Sequence, residues 1–275
     1  MIRTALDNRV SRLYHYQVFH EDHLINTLEC GIVKFANPNS FNDPWDCKPT
    51  FCVPEDAADR HALVLWMARA SAKHDSTIDA AARARRVEEF LSNPQLLKSK
   101  MAELAAEMWR QIDKRYRVYC LTTKPGCPLM WAHYADHHRG VCLEFDMRKS
   151  DLCAAVQVQY REMYPSFHID DGKDLSPLYT KSFHWQYEEE YRLIAQEESS
   201  AFRVDTLITS NQLYRLPAGS LTSLIIGARA RELDQRTIRD IVSRSNSGLL
   251  IRKATCAPDR YELMIDPPIS DSSDS

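Results

Sequence analysis

Apolar positions recur with a period near two, then near 3.6, then near two again along this chain, and the changes of period mark out its elements. Leu13-Tyr14-His15-Tyr16 is short and aromatic and predicts a strand, while Leu24, Ile25 and Leu28 fall at helical spacing within Glu21 to Glu29. Gly31-Ile32-Val33-Lys34-Phe35 alternates like a half-buried strand. It runs into two turn signals, Asn37-Pro38-Asn39-Ser40 and Asn42-Asp43-Pro44.

From about Pro54 to Lys114 the spacing becomes helical, with Leu63, Trp66, Met67 and Ala70 followed by Leu97, Met101, Leu104, Ala105, Met108 and Ile112. This stretch, about 54–115, predicts a helical insertion. Beyond Tyr116 strands are expected over Arg117–Thr123, Gly140–Asp146, Ala155–Tyr160, Tyr187–Ala195, Leu221–Ile226, Leu249–Ala254 and Tyr261–Ile265. Helices are expected over Pro128–His138, with proline in its first turn and Gly140 past its end, and over Leu233–Ser243. The pattern predicts an α+β fold, a twisted mixed or antiparallel sheet with flanking helices, in a single domain over residues 1–268. The polar stretch 269–275 is expected to be disordered.

Composition narrows the function classes. With 275 residues and 44% hydrophobic positions the chain can bury a full core. A formal net charge of -3 gives no electrostatic reason for tight binding to an anionic membrane or to nucleic acid. The insertion's surplus of arginine and lysine, Arg83, Arg85 and Arg86 among them, keeps a nucleic-acid contact open. Met1 to Val10 lacks a signal-peptide core and no apolar run approaches the ~18 residues that span a bilayer, so a cytoplasmic location is expected. The eight cysteines show no CxxC pairing; they read as thiols, and no metal is predicted.

Two clusters carry most of the polar chemistry. In Met130-Trp131-Ala132-His133-Tyr134-Ala135-Asp136-His137-His138-Arg139, a helix would set His133 and His137 one turn apart. It would also offer Trp131 and Tyr134 either to the core or to a ring-bearing ligand. In Trp185-Gln186-Tyr187-Glu188-Glu189-Glu190-Tyr191-Arg192, an extended strand would project Glu188, Glu190 and Arg192 from one face, successive same-side residues roughly 7 Å apart. Three consecutive acids oppose strand propensity, a local conflict of the kind functional sites carry. Phe41-Asn42-Asp43-Pro44-Trp45-Asp46 is explained as a turn held by its own side chains. His15 fits either a ligand contact or a hydrogen-bonded core histidine.

Taken together, Leu13-Tyr14-His15-Tyr16, Phe41-Asn42-Asp43-Pro44, Met130-Trp131, His133-Tyr134-Ala135, His138-Arg139-Gly140-Val141, Lys181, Trp185, Tyr187-Glu188 and Glu190-Tyr191-Arg192 resemble the bacterial domain-of-unknown-function family 2971. A second resemblance is to the three-part site of ADP-ribosyltransferases, with His15, Thr122 and Thr123, and Glu188 and Glu190 in the matching positions. It implies NAD as substrate and a transferase activity, as in bacterial toxins or antiviral defence effectors. His15, Glu188 and Glu190 would be catalytic, Glu190 facing the oxocarbenium charge. Tyr14, Tyr16, Asn42, Thr122, Trp131, His133, Tyr134, His138, Arg139, Trp185 and Arg192 would bind the nucleotide, and the macromolecular acceptor stays unassigned. A non-catalytic nucleotide- or protein-binding module, or a hydrolase or nuclease built on His133 and His137, are the alternatives.

Overall fold

The computed structural model of the chain describes residues 2–48, 50–74, 79–148, 150–164, 175–198, 207–245 and 248–267. The stretch 269–275 lies outside them. The fold is α+β, and its centre is a nine-stranded mixed sheet. In chain order the elements that build it and the site are β1 (Arg12–Gln17), α1 (Glu21–Cys30), β2 (Ile32–Lys34), α2 (Ala57–His74), α3 (Ala80–Ser92), α4 (Pro94–Arg115), β3 (Tyr116–Thr122), α5 (Pro128–Tyr134), β4 (Val141–Asp146), β5 (Val156–Gln157), β6 (Gln159–Arg161), β7 (Thr180–Ser182), β8 (Glu190–Glu197), β9 (Leu207–Thr209), β10 (Leu213–Arg215), β11 (Leu221–Ile226), α6 (Glu232–Ser245), β12 (Leu250–Cys256) and β13 (Leu263–Ile265). The sheet runs β13-β12-β11-β4-β1-β3-β8-β5, with β9 also pairing β8.

The central strand explains why alternation fails where it does. Every residue of β4 is buried, because β1 and β11 flank it and helices cover the sheet, so Val141, Leu143 and Phe145 and also Cys142 sit in the dry interior. Glu144 shares that burial and is tolerated because Arg12, Arg252 and Thr222 bond its carboxylate. β11 and β12 are parallel neighbours, an arrangement that needs a crossover, and α6 supplies it. Its Ile238, Ile241 and Val242, at i, i+3 and i+4, are the buried stripe.

The insertion folds as expected into α2, α3 and α4 around its own cluster, where Phe51, Val64, Phe90, Leu97 and Met101 pack. Asp79 and Asn93 cap the second and third of these helices, accepting from the backbone N–H of Ala82 and Leu96.

The structure departs from the periodicity in three places. The helix expected to reach His138 stops at Tyr134: Asp136, His137 and His138 all have positive φ, at 44°, 53° and 71°, and Gly140 N–H returns to the Ala135 carbonyl. The strand expected from Tyr187 starts at Glu190, because Phe183–Glu188 is a 3-10 helix closed by Glu189 at φ 43°. The strand expected over Ala155–Tyr160 divides into β5, on β8, and β6, on β7. β9 and β10, which pair with β8 and β2, have three residues each, too short for a period to register.

Gly140 and Gly227 bind these pieces at one corner. A Cβ on Gly140 would lie 2.3 Å from the Gln17 carbonyl oxygen, and one on Gly227 would lie 2.3 Å from that of His138. Both obstacles are backbone, which cannot rotate away. Gly140→Ala is therefore expected to cost about 1–3 kcal/mol, read as a lower urea midpoint at unchanged m-value.

Candidate functional site

β1 and β3 are sheet neighbours, yet they share a single registered pair, Tyr14 with Thr122, whereas β1 and β4 share six and β3 and β8 seven. A cavity of about 310 Å³ lies along the two sparsely paired strands. Tyr14, His15 and Tyr16 of β1 and Val118, Tyr119, Cys120 and Leu121 of β3 line it, with Phe41, Asn42 and Asp46 from the loop after β2. Met130, His133 and Tyr134 of α5 enter from another side. Lys181, Glu188, Glu190 and Arg192 complete the lining.

The last group forms one buried charge network. Arg192, 0% exposed, gives all five of its N–H donors to acceptors: Asp46 at 2.9 and 2.7 Å, Glu190 at 2.7 and 3.0 Å, and the Leu178 carbonyl at 2.9 Å. Its guanidinium stands 5.3 Å from the centre of the Phe41 ring. Lys181 Nζ donates to Glu188 Oε2 at 2.6 Å and Glu190 Oε2 at 3.2 Å, lies 3.7 Å from Asp46, and sits 4.9 Å from the Trp185 ring centre. Tyr134 OH donates to Glu188 Oε1 at 2.6 Å. Asp46, Arg192, Glu190, Lys181, Glu188 and Tyr134 thus form one continuous chain of hydrogen bonds.

Within it the two glutamates are driven apart. Burial alone would raise Glu190, but Arg192 and then Lys181 outweigh it and hold the carboxyl down at about 2. Burial also raises Glu188, and there Lys181 compensates only in part while the Glu190 charge adds to the rise. Burial opposes the charge on Lys181, yet Glu190, Asp46 and Glu188 raise its pKa above the ordinary lysine value. Separated environments for two neighbouring carboxylates are what acid–base sites use.

His15 faces the cavity wall. Its Nδ1 donates to the Cys120 carbonyl at 2.8 Å, which leaves Nε2 as an acceptor, and its ring stacks on Tyr119 with centroids 4.0 Å apart. Burial lowers its pKa to about 4, against a partial opposing effect of that backbone bond. The neutral ring is therefore favoured in the fold. The sign follows: His15 weakens the fold as pH drops from the ordinary value near 6.5 toward 4, because only the unfolded chain takes up the proton. The loss is expected to reach about 3 kcal/mol by pH 4, and His15→Gln should flatten that part of a stability-versus-pH curve.

The structure brings together Tyr14, His15, Tyr16, Asn42, His133, Tyr134, Glu188, Glu190 and Arg192 of the residues singled out in the sequence. Glu188 arrives from the end of a 3-10 helix rather than along the strand, and Lys181 joins it to Glu190. Glu189, between them, points outward to Thr123 and Lys124. Tyr16 spends its hydroxyl on the Lys124 carbonyl. Trp131 is fully buried, donates Nε1–H to the Pro125 carbonyl and packs edge-on to Tyr16, so it belongs to the core side of its alternatives. Thr122 is likewise buried, bonded to the Glu188 carbonyl and the Lys124 N–H. Arg139 pairs with Asp136 at the surface, and the His138 carbonyl takes the Arg229 N–H; neither lines the cavity. His133 and His137 do not share a helical face, since α5 ends between them, which removes the spacing argument for a metal or nuclease site.

Asp46 and Lys181 are the site residues that sequence reasoning left outside its list. Asp46 stood in the turn cluster and Lys181 among the family's residues, but only the long-range approach of β7 and the turn to β8 reveals their work.

No curated protein and no solved structure matches the chain. Residues 130–193 match the model of a family described as a protein of unknown function, DUF2971. The matched stretch includes Tyr134, Lys181, Glu188, Glu190 and Arg192, most of the charge network. Over that segment the chain is similar to the domain-of-unknown-function family 2971.

Proposed function

We propose that the cavity along β1 and β3 binds the nicotinamide–ribose end of NAD and that the protein transfers ADP-ribose from it to an acceptor. The observation that carries this reading is the balance of buried charge in an aromatic-walled cavity: three buried carboxylates, Asp46, Glu188 and Glu190, meet two buried cations, Lys181 and Arg192, while the third cation of the lining, Lys34, is exposed to solvent. Among these buried groups one negative charge is left over. A pyridinium ring and the oxocarbenium that follows it are both cationic, so the excess favours substrate and, more strongly, transition state. Tyr14 and Tyr134 offer ring faces.

In the step proposed, the bond from ribose C1′ to the pyridinium nitrogen breaks and its electron pair leaves with neutral nicotinamide. The positive charge passes to C1′ and the ring oxygen. The acceptor then bonds to C1′ and gives up its proton. Glu188 is the better carboxylate for that charge, because both Glu190 oxygens are tied to Arg192 and one also to Lys181. Glu190 acts as a positioning residue. Tyr134 and Lys181 aim Glu188, and the Nε2 of His15 offers an acceptor for a ribose hydroxyl. A macromolecular acceptor would suit a toxin or antiviral effector.

Both Glu188 oxygens are already engaged, by Tyr134 and Lys181, which favours a second reading in which the cavity binds a nucleotide without turnover. Incubation with NAD, with and without a cell extract, separates the two. Nicotinamide release that Glu188→Gln lowers at least about 100-fold supports transfer. NAD binding with no release under either condition supports the second reading, and neither binding nor release overturns both.

A further inference from the structure

At about 310 Å³ the cavity stands at the lower end of the ~300–1,000 Å³ typical of small-molecule pockets. It has room for a ring and a sugar, and its two buried cations are already paired with carboxylates, so a diphosphate finds little space there and only the exposed Lys34 as counter-charge. Any dinucleotide must place its anionic half elsewhere.

A second recess of about 240 Å³ adjoins it, and Lys181 lines both. Its chemistry is the opposite. Besides Lys181, two cations, Lys48 and Arg161, face the single carboxylate Glu162. Neither cation forms an ion pair among the described residues: Arg161 reaches the neutral Gln159 side chain at 3.1 Å, and Lys48 Nζ rests 5.5 Å from the Trp109 ring centre. Trp45 lines the same recess and is 62% exposed, unusual for so large a ring, and Tyr164 is 46% exposed. The Tyr164 hydroxyl donates to the Lys48 carbonyl at 2.5 Å, fixing the ring beside the cation.

We infer that this second recess is the binding site for the adenosine diphosphate half of the ligand, with Lys48 and Arg161 pairing with the diphosphate and Trp45 stacking on the base. Cations without an ion pair among the described residues, beside an uncovered aromatic face, are the components that recognition of a phosphate-bearing base requires. The inference deepens the NAD reading and rests on it for the identity of the whole ligand, but the recess can be tested without any turnover.

The experiment is calorimetric titration of the full chain with ADP and, separately, with nicotinamide riboside. ADP is expected to bind, more weakly as salt rises. Trp45→Ala and Arg161→Glu are each expected to weaken it about 10-fold or more while leaving nicotinamide riboside within about 2-fold. Trp45 and Arg161 are exposed, so unchanged melting temperatures should accompany the loss. Failure of the wild-type chain to bind ADP, or ADP binding that both variants leave unchanged, overturns the assignment. Loss of ADP binding in the variants, in a protein that never consumes NAD, keeps the recess as an ADP site and removes the transfer chemistry alone.

Discussion

Replacing Arg192 with alanine is expected to lower the stability of the fold by about 3–5 kcal/mol, the cost of leaving buried carboxylates without their counter-ion. Arg192 is 0% exposed, and Asp46 and Glu190 behind it are 3% exposed each. With the guanidinium gone, Lys181 is the one cation left paired with both among the described residues, at 3.7 Å from Asp46 and 3.2 Å from Glu190. Arg192→Lys keeps the charge but not the planar fork, and it should recover only part of the loss. The pH dependence gives an independent check. Glu190, held at about 2 in the fold, contributes stability that is fully present above the ordinary carboxyl value and disappears as pH falls toward 2. That acid-side slope should be shallower in Arg192→Ala, because the group that depresses Glu190 is absent. Urea melts at several pH values measure both effects. A variant within about 1 kcal/mol of wild type would mean the network is solvated and contributes little.

The network also marks where reading the sequence stopped. β3, β4 and β11 were legible because their apolar runs are strongly patterned. The helical insertion was legible because its buried positions keep 3.6-residue spacing from Leu97 to Ile112. The run of three glutamates was legible as a conflict with strand propensity, but its resolution was not. Glu189 takes φ 43°, which turns the middle acid outward and separates a 3-10 helix from β8. That conformation depends on Thr123 and Lys124 receiving the Glu189 side chain from across the sheet. The end of α5 is similar. Three consecutive residues with positive φ, Asp136 to His138, are held by Gly140, which only a backbone approach as close as that of Gln17 would make necessary. Local pattern cannot register contacts between residues that lie 66 positions apart, as Thr123 and Glu189 do, or as far apart as Gln17 and Gly140, and these contacts assemble the site.

Within that site the largest change in activity is expected from Glu188→Gln, an isosteric change that removes the charge proposed to face the reacting ribose. If Glu188 stabilises the oxocarbenium, kcat for nicotinamide release falls by about 10²–10³ while the dissociation constant for NAD stays within a few-fold. Tyr134→Phe distinguishes this role from a structural one. The Tyr134 hydroxyl hydrogen bond favours the ionised form of Glu188, whose pKa burial has already raised. Since the ionised form is the active one, kcat/KM should decline as pH falls through that raised value, so the acid limb of the wild-type profile lies above the ordinary glutamate range. Loss of the hydroxyl raises Glu188 further, so the limb should move to still higher pH in Tyr134→Phe, with kcat on the plateau reduced by a smaller factor than in Glu188→Gln. A purely structural tyrosine would lower the melting temperature and leave the position of the limb where it was. A limb unmoved by Tyr134→Phe, in a variant that remains folded, would take the catalytic role away from Glu188 and return the search to the other carboxylates of the cavity.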